Sequence, residues 1–246
     1  MRRALALLAL LLLASTRAEA ADGAALNVIG YSADSRTFAF EQYGVQDGSG
    51  FPYWDIFVID LKANEWVKGT PVRALLQEDG AKLSAACDKA RADAAQVLKN
   101  VTEPAELLAA NPSTEVVAAR ERLLFDRWYI PFGSRPDTDS PVKIRHELVA
   151  EKIPLPAPKE CPAEDGGLFG LRLTLKDLQT GTSRVIHEDK SIPGSRRCPL
   201  AYDVSAVVAQ AGMPVTDRLV AIIGVSSRGF EGADHRFIAV PFTLSE

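Results

Sequence analysis

The sequence predicts a mainly β protein, antiparallel and either sandwich-like or propeller-blade-like, with a helical insertion in its middle. Three observations carry this. Short runs rich in β-branched and aromatic residues recur in both halves, separated by turns of Gly, Asp and Pro. Several of these runs alternate apolar with polar residues, the mark of a strand with one wet face. Between about Pro71 and Arg127 the composition changes to Ala, Leu, Glu, Lys and Arg, which favour helix.

The chain opens with Arg2-Arg3, an apolar run over residues 4–14, and the small-residue triplet Ala18-Glu19-Ala20. This is the layout of a secretory signal peptide with an Ala-x-Ala cleavage site. The run is shorter than the roughly 20 residues that cross a bilayer, and no second long apolar stretch follows. Residues 1–20 are therefore expected to be a leader, and 21–246 a single β domain, periplasmic or secreted and bacterial. Removing the leader takes away three Arg and one Glu, so the net charge moves from −4 to −6. A mildly acidic surface argues against nucleic acid as a partner.

In order, residues 27–31 form a short apolar strand, Asp34-Ser35 turns the chain, and residues 37–41 return. The loop Gly44-Val45-Gln46-Asp47-Gly48-Ser49-Gly50 leads to residues 55–61, a dense apolar run fit for a buried strand. Lys62-Ala63-Asn64-Glu65 turns, and Trp66-Val67 starts the next strand. The insertion, at about 71–127, reads as two or three helices, broken at Asn111-Pro112 and with Pro104 suited to a first helical turn. Asn100-Val101-Thr102 within it is a glycosylation sequon.

The second β block begins at Val142, with Ile144, His146, Leu148 and Ala150 on its apolar face and a hydrogen-bonded core role expected for His146. Pro154, Pro156 and Pro158 form an extended connector. Leu171, Leu173 and Leu175 alternate with Arg172, Thr174 and Lys176 before the turn Asp177-Leu178-Gln179-Thr180-Gly181 and a strand over 183–187. Residues 219–225 and 236–243 are the last two strands. Two internal echoes suggest a duplicated unit. Asp60-Leu61-Lys62-Ala63-Asn64 parallels the turn at Asp177, and the hairpin around Asp47-Gly48 parallels that around Glu231-Gly232-Ala233-Asp234.

Cys161 and Cys198 each precede a Pro in turn-rich segments, and in an oxidising compartment they are expected to pair. Closing roughly 38 residues stabilises by about 3–4 kcal/mol in the chain-entropy picture. Cys87 falls with Leu83, Ala90, Ala94 and Val97 on one helix face, as a buried free thiol.

Tyr31-Ser32-Ala33-Asp34-Ser35 through Phe40 is similar to the strand-opening motif of TolB-type β-propeller repeats, with Ala33 and Ser35 replacing the usual Pro and Gly. One copy cannot close a propeller, which needs at least four blades. The whole mature chain resembles the secreted bacterial family known as domain of unknown function 2259. The residues carrying this are Gly30 to Asp34, Phe40 to Tyr53, Cys198 to Tyr202 and Gly229 to Asp234. The resemblance implies export and supplies no catalytic residue.

His146, His187 and His235 are far apart, without His-Glu-x-x-His or zinc-spaced cysteines. Gly224-Val225-Ser226-Ser227-Arg228-Gly229 follows a strand but is one residue too long for a nucleophile elbow. The two acidic Gly loops are the best candidate surface. Glu41, Asp47, Ser49, Glu231 and Asp234 offer oxygen ligands suited to calcium. Tyr43, Phe51, Tyr53, Trp54 and Phe230 flank them, and such aromatics favour binding surfaces. The expected function is a non-catalytic binding or interaction protein centred on Tyr43, Asp47, Phe51, Tyr53, Phe230, Glu231 and Asp234. Its partner would be a protein, peptide or glycan, with no cofactor unless calcium. The alternative is an exported hydrolase assembled around Ser226, His235 and nearby acids.

Overall fold

Dense apolar strands, buried on both faces, build the first sheet. The structure, a computed structural model, describes residues 21–126, 144–161, 167–212, 218–229 and 232–244. The expected leader, Val142, Phe230 and Glu231 lie outside the described residues. β1 (Ala25–Ser32), β2 (Thr37–Val45), β3 (Pro52–Asp60) and β4 (Glu65–Trp66) follow one another as an antiparallel meander. The first turn forms where Asp34-Ser35 predicts it. Ser32 Oγ donates to Asp34 Oδ1 at 2.6 Å and accepts the amide of Thr37 at 3.0 Å.

The middle segment departs from expectation. It holds one helix, α1 (Leu83–Leu98), where two or three were expected. β5 (Val72–Leu75) pairs with β3, and β6 (Val101–Glu103) pairs with β1. Pro104 starts no helix; its carbonyl accepts the amide of Ala211 at 2.9 Å. The helix-favouring run that follows becomes β7 (Ala105–Ala110), paired with a strand far along the chain. Tertiary pairing wins because Leu108 and Ala109 bury almost completely in a core that a lone short helix would not reach.

β8 (Arg122–Phe125), β9 (His146–Pro154), β10 (Phe169–Asp177) and β11 (Ser183–Glu188) make a second antiparallel sheet in the order β11-β10-β9-β8. β12 (Pro199–Gln210), β13 (Leu219–Arg228) and β14 (Ala233–Phe242) join β7 in a third, in the order β14-β13-β12-β7. The turn at Asp60 and the turn at Asp177 are the same device. In each, the Asp Oδ1 accepts the amides two and three residues on, at 2.8–3.1 Å. In each, the fifth residue, Asn64 or Gly181, takes a positive φ.

The third sheet is the middle of a stack. Val220 and Ile222 of β13 pack on Tyr31, Phe38, Phe40 and Phe57 of the first sheet. Leu219, Ala221, Ile223 and Val225 pack on Leu148, Leu171 and Leu173 of the second. A strand buried on both faces needs the near-continuous apolar run that β13 has. Helix α1 closes the far side of the first sheet, with Ala86, Ala90 and Ala94 fully buried against Trp54, Ile56 and Ala74.

Cys161 and Cys198 are joined, with Cα atoms 5.7 Å apart, over a small cluster with Leu168 and Ile192. Cys87 is free on the buried side of α1, though half-buried rather than sealed. His146 lies in the core against Phe125, but its Nδ1 has no hydrogen-bond partner, unlike the bonded histidine expected. Burial holds its pKa below the ordinary value.

Candidate functional site

A glycine in an apolar strand creates the site. On β13 the even-numbered residues face the first sheet, and their row ends in Ile222, Gly224 and Ser226. Gly224 lies opposite Asp203 on β12, and Ser226 lies opposite His235 on β14. A Cβ at Gly224 would overlap both the Asp203 carboxylate and the His235 ring. Its absence lets the imidazole lie diagonally across the strand, placing Nε2 2.9 Å from Asp203 Oδ2.

Both members of this pair are held from behind. Ser205 Oγ donates to Asp203 Oδ1 at 2.6 Å. Burial raises the Asp203 pKa, but the bonds from His235 and Ser205 outweigh it and hold the carboxyl below its usual range. The His235 ring meets Phe237 edge-on at 5.0 Å. Its backbone amide donates to the Asp22 carbonyl, and its carbonyl accepts the Ala24 amide, both at 3.0 Å. Residues 22–24 thus pair with the outer edge of β14 at this point.

Ser226, His235 and Asp203 open into a pocket of about 520 Å³ that is also lined by Arg120, Glu121, Ser113 and Tyr202. The loop carrying Arg120 is pinned. Asn111 Nδ2 donates to the carbonyls of Arg122 and Val204, at 2.8 and 2.9 Å. Both terminal nitrogens of Arg120 donate to the Pro112 carbonyl, at 3.1 and 3.0 Å. The guanidinium is therefore a fixed charge with further N–H groups to spare.

The expected binding residues divide between places. Tyr53 and Asp234 come to the end of the stack that holds the pocket. Tyr53 is buried, its hydroxyl donates to Asp22 Oδ1 at 3.2 Å, and Arg236 lies over its ring at 4.6 Å. Arg236 also bonds Asp22, which ties the β2–β3 and β13–β14 hairpins together at this end. Asp234 pairs with Arg197 at 2.9 Å. Asp47 and Phe51 sit half-buried in the β2–β3 loop, and Asp47 Oδ2 is buried without a partner. Tyr43 lies on the opposite face, stacked on Trp54 at 3.9 Å on the helix side. The period of two explains the split, because Tyr43 is the register partner of Trp54 while Tyr53 is that of Gly44.

Of the oxygen ligands suggested for calcium, Glu41 is committed elsewhere. It is buried and accepts bonds from Arg91, Trp54 Nε1 and Asn27, each at 2.7 Å. Among the described residues no group of three or more His, Cys, Asp or Glu is placed to hold a metal ion. Asp203 and Arg120 escaped the sequence reading, which met Gly224 only as the start of a segment that fails as a nucleophile elbow. The available signal was that Gly224 is a glycine inside a strand, where something approaches the backbone closely.

A second cleft, of about 180 Å³, lies between the first and third sheets, with Asp55, Trp66, Arg73, Arg196, Arg197 and Arg236 in its lining. Three of its arginines are tied to acids: Arg196 to Asp189, Arg197 to Asp234 and Arg236 to Asp22. It is smaller, and most of its charges are already satisfied.

The family model described as predicted secreted protein, DUF2259, matches residues 39–243, and the chain belongs to this family. No curated protein matches the chain. Among the described residues no helix is long and apolar enough to cross a membrane.

Proposed function

We propose that this DUF2259 protein is an exported binding protein and that it meets its ligand at the hairpin end of the stack. One observation carries the reading. The 520 Å³ pocket gathers an acid–imidazole pair, two serines, Tyr202, Glu121 and a fixed arginine at the end where two hairpins and residues 22–24 converge. A concave site with a few converging polar groups is the ordinary form of a ligand pocket. Its donors and acceptors suit a polar segment of a peptide or glycan. The β2–β3 loop with Asp47 and Phe51 would form part of the rim. Calcium is a candidate ligand through the unpartnered oxygen of Asp47.

A thermal-shift screen of residues 21–246 against peptides, oligosaccharides and calcium tests this. Saturation at 100 times Kd stabilises by about 2.7 kcal/mol, which raises Tm by several degrees in a chain of this size. Ser226→Trp, which fills the pocket, should abolish the shift, and Asp47→Ala should weaken it. A ligand whose shift survives both substitutions would place binding elsewhere and overturn the reading.

A further inference from the structure

We infer that the pocket is also a reaction centre, in which Ser226, His235 and Asp203 form an acyl-transfer triad that hydrolyses an ester. The inference rests on the reading that this pocket takes a ligand. The geometry assigns each role. Ser226 and His235 are direct register partners on one face of β13 and β14. Directly opposed residues hold their Cβ atoms about 4.5–5.5 Å apart. That is within reach of a contact between Ser Oγ and the proximal ring nitrogen, Nδ1. The distal nitrogen, Nε2, points the other way, over Gly224, and meets Asp203. The carboxylate fixes the ring and its tautomer, leaving Nδ1 as the base. Ser226 is half-exposed and lines the pocket, so an ester carbonyl can approach it. Arg120, held by Pro112, supplies fixed positive charge on the same pocket wall for the oxygen that becomes negative.

The chemistry closes without a cofactor. As Ser226 Oγ bonds to the carbonyl carbon, its proton moves to His235 Nδ1. The tetrahedral oxyanion collapses, the bond from carbon to the alkoxy oxygen breaks, and the leaving alcohol takes the proton from His235. Water then attacks the acyl-serine by the same route, giving a carboxylic acid and restoring the serine. The third residue, Asp203, is a positioning residue. The substrate class is an ester whose acyl group is small enough for a 520 Å³ pocket.

A fluorophosphonate probe tests the triad on residues 21–246. Attack by an activated serine forms an oxygen–phosphorus bond and expels fluoride, which marks the nucleophile covalently. The expected result is one adduct per folded chain, mapped by peptide mass to Ser226 and absent from Ser226→Ala. His235→Gln should slow labelling by about 100-fold or more, as loss of general-base help does. Asp203→Asn should slow it too, and it serves as the second variant if His235→Gln does not fold. Wild type should also release p-nitrophenol from p-nitrophenyl acetate with a burst that Ser226→Ala lacks. No adduct on Ser226 in folded protein, or labelling indifferent to His235→Gln and Asp203→Asn, would overturn the triad. If a ligand shift sensitive to Ser226→Trp persists without labelling, the triad falls and the binding site stands. If both vanish, both readings fall.

Discussion

The first sheet, six strands built on a four-strand meander, and the second, a four-strand meander, flank the same central sheet, yet they treat their outer faces in opposite ways. The first sheet covers its outer face with α1, and Trp54, Ile56 and Ala74 meet three fully buried alanines there. The second sheet leaves its outer face to water. Arg172, Thr174 and Lys176 of β10 point outward, opposite the leucines that point in. Charged pairs cross that face: Arg122 and Lys176 with Glu147 at 2.6 and 3.3 Å, and Arg172 with Glu188 at 2.7 Å. An outer strand face can be stabilised by apolar burial or simply made compatible with solvent. Only the first route adds much free energy, since exposed ion pairs contribute about 0–1 kcal/mol each.

The strongest test of this contrast breaks the helix seat. Ala90 is fully buried between α1 and the sheet, with no space for a longer side chain. Ala90→Glu should cost more than about 4 kcal/mol, because it overpacks the interface and strands a charge there. Ala85→Glu, exposed in the first turn of the same helix, should be neutral or slightly stabilising, because that turn holds no acid to meet the helix dipole. Urea unfolding of the two variants compares them directly; equal losses would mean that α1 contributes no seated face.

The second test removes a charge buried on the covered face. Glu41 is buried under α1 with Arg91, Trp54 and Asn27 as donors. Burial pulls its pKa upward, but those three bonds outweigh it and hold the carboxyl below its ordinary value. A folded-state pKa that is lowered gives stability that is present above the unfolded value of about 4.3 and lost as pH falls through the folded one. Glu41→Gln should cost about 2 kcal/mol at neutral pH, the scale of hydrogen bonds to a charged group. It should also flatten the acid limb of stability below about pH 4.3. An acid limb as steep as the wild type's would assign that loss to other carboxylates.

Much of this architecture was legible in the sequence, and the gaps have physical causes. The strand expected around 171–176 announced itself by alternation, that over 37–41 by its apolar run after a turn, and the pairing of Cys161 with Cys198 by their two loop settings. The segment Ala105–Ala110 did not, because its composition favours helix and only the edge of β12, about 100 residues away, makes it a strand. The repeated Asp turn was read correctly as an echo, and it joins the third and fourth strands in both outer sheets. The second echo joins the second and third strands of one sheet but the third and fourth of another, so it marks no equivalent positions. Ser226 and His235 could be named as candidates. Their relation to Asp203 could not, since it depends on the register of three strands and on a missing Cβ at Gly224.

A smaller effect belongs to the wet face. Glu147 is the most buried of its acids, seated between Arg122 and Lys176. Burial raises its pKa, and the two cations more than reverse that, so its acid dependence has the same sign as that of Glu41. Glu147→Gln should cost about 1 kcal/mol at low salt, and less at 0.5 M NaCl because Arg122 is half exposed and screened. Glu41→Gln, beneath the helix, should change less with salt. Equal salt sensitivity would erase the distinction between the two faces.

The smallest effect is the most diagnostic of why the wet face is built as it is. Thr174 sits outward on β10, and its hydroxyl donates to Glu151 at 3.0 Å in an exposed setting. Its register partners are Val149 on one side and Val185, half exposed, on the other. Thr174→Val removes an exposed hydrogen bond and completes a row of three β-branched apolar side chains across the strands. The bond is worth little against water, while cross-strand apolar pairs each contribute about 0.2–1 kcal/mol. Stability should therefore change by no more than about 0.5 kcal/mol, in the stabilising direction if at all. Solubility should respond instead, because the row reaches the open edge strand β11, where an apolar strip invites pairing with another chain. Urea midpoints should coincide with wild type, while sedimentation velocity should show concentration-dependent association in the variant alone. A loss above 1 kcal/mol would mean that the polar lattice itself stabilises the second sheet. An unchanged sedimentation profile would mean that the flanking charges already block pairing at that edge.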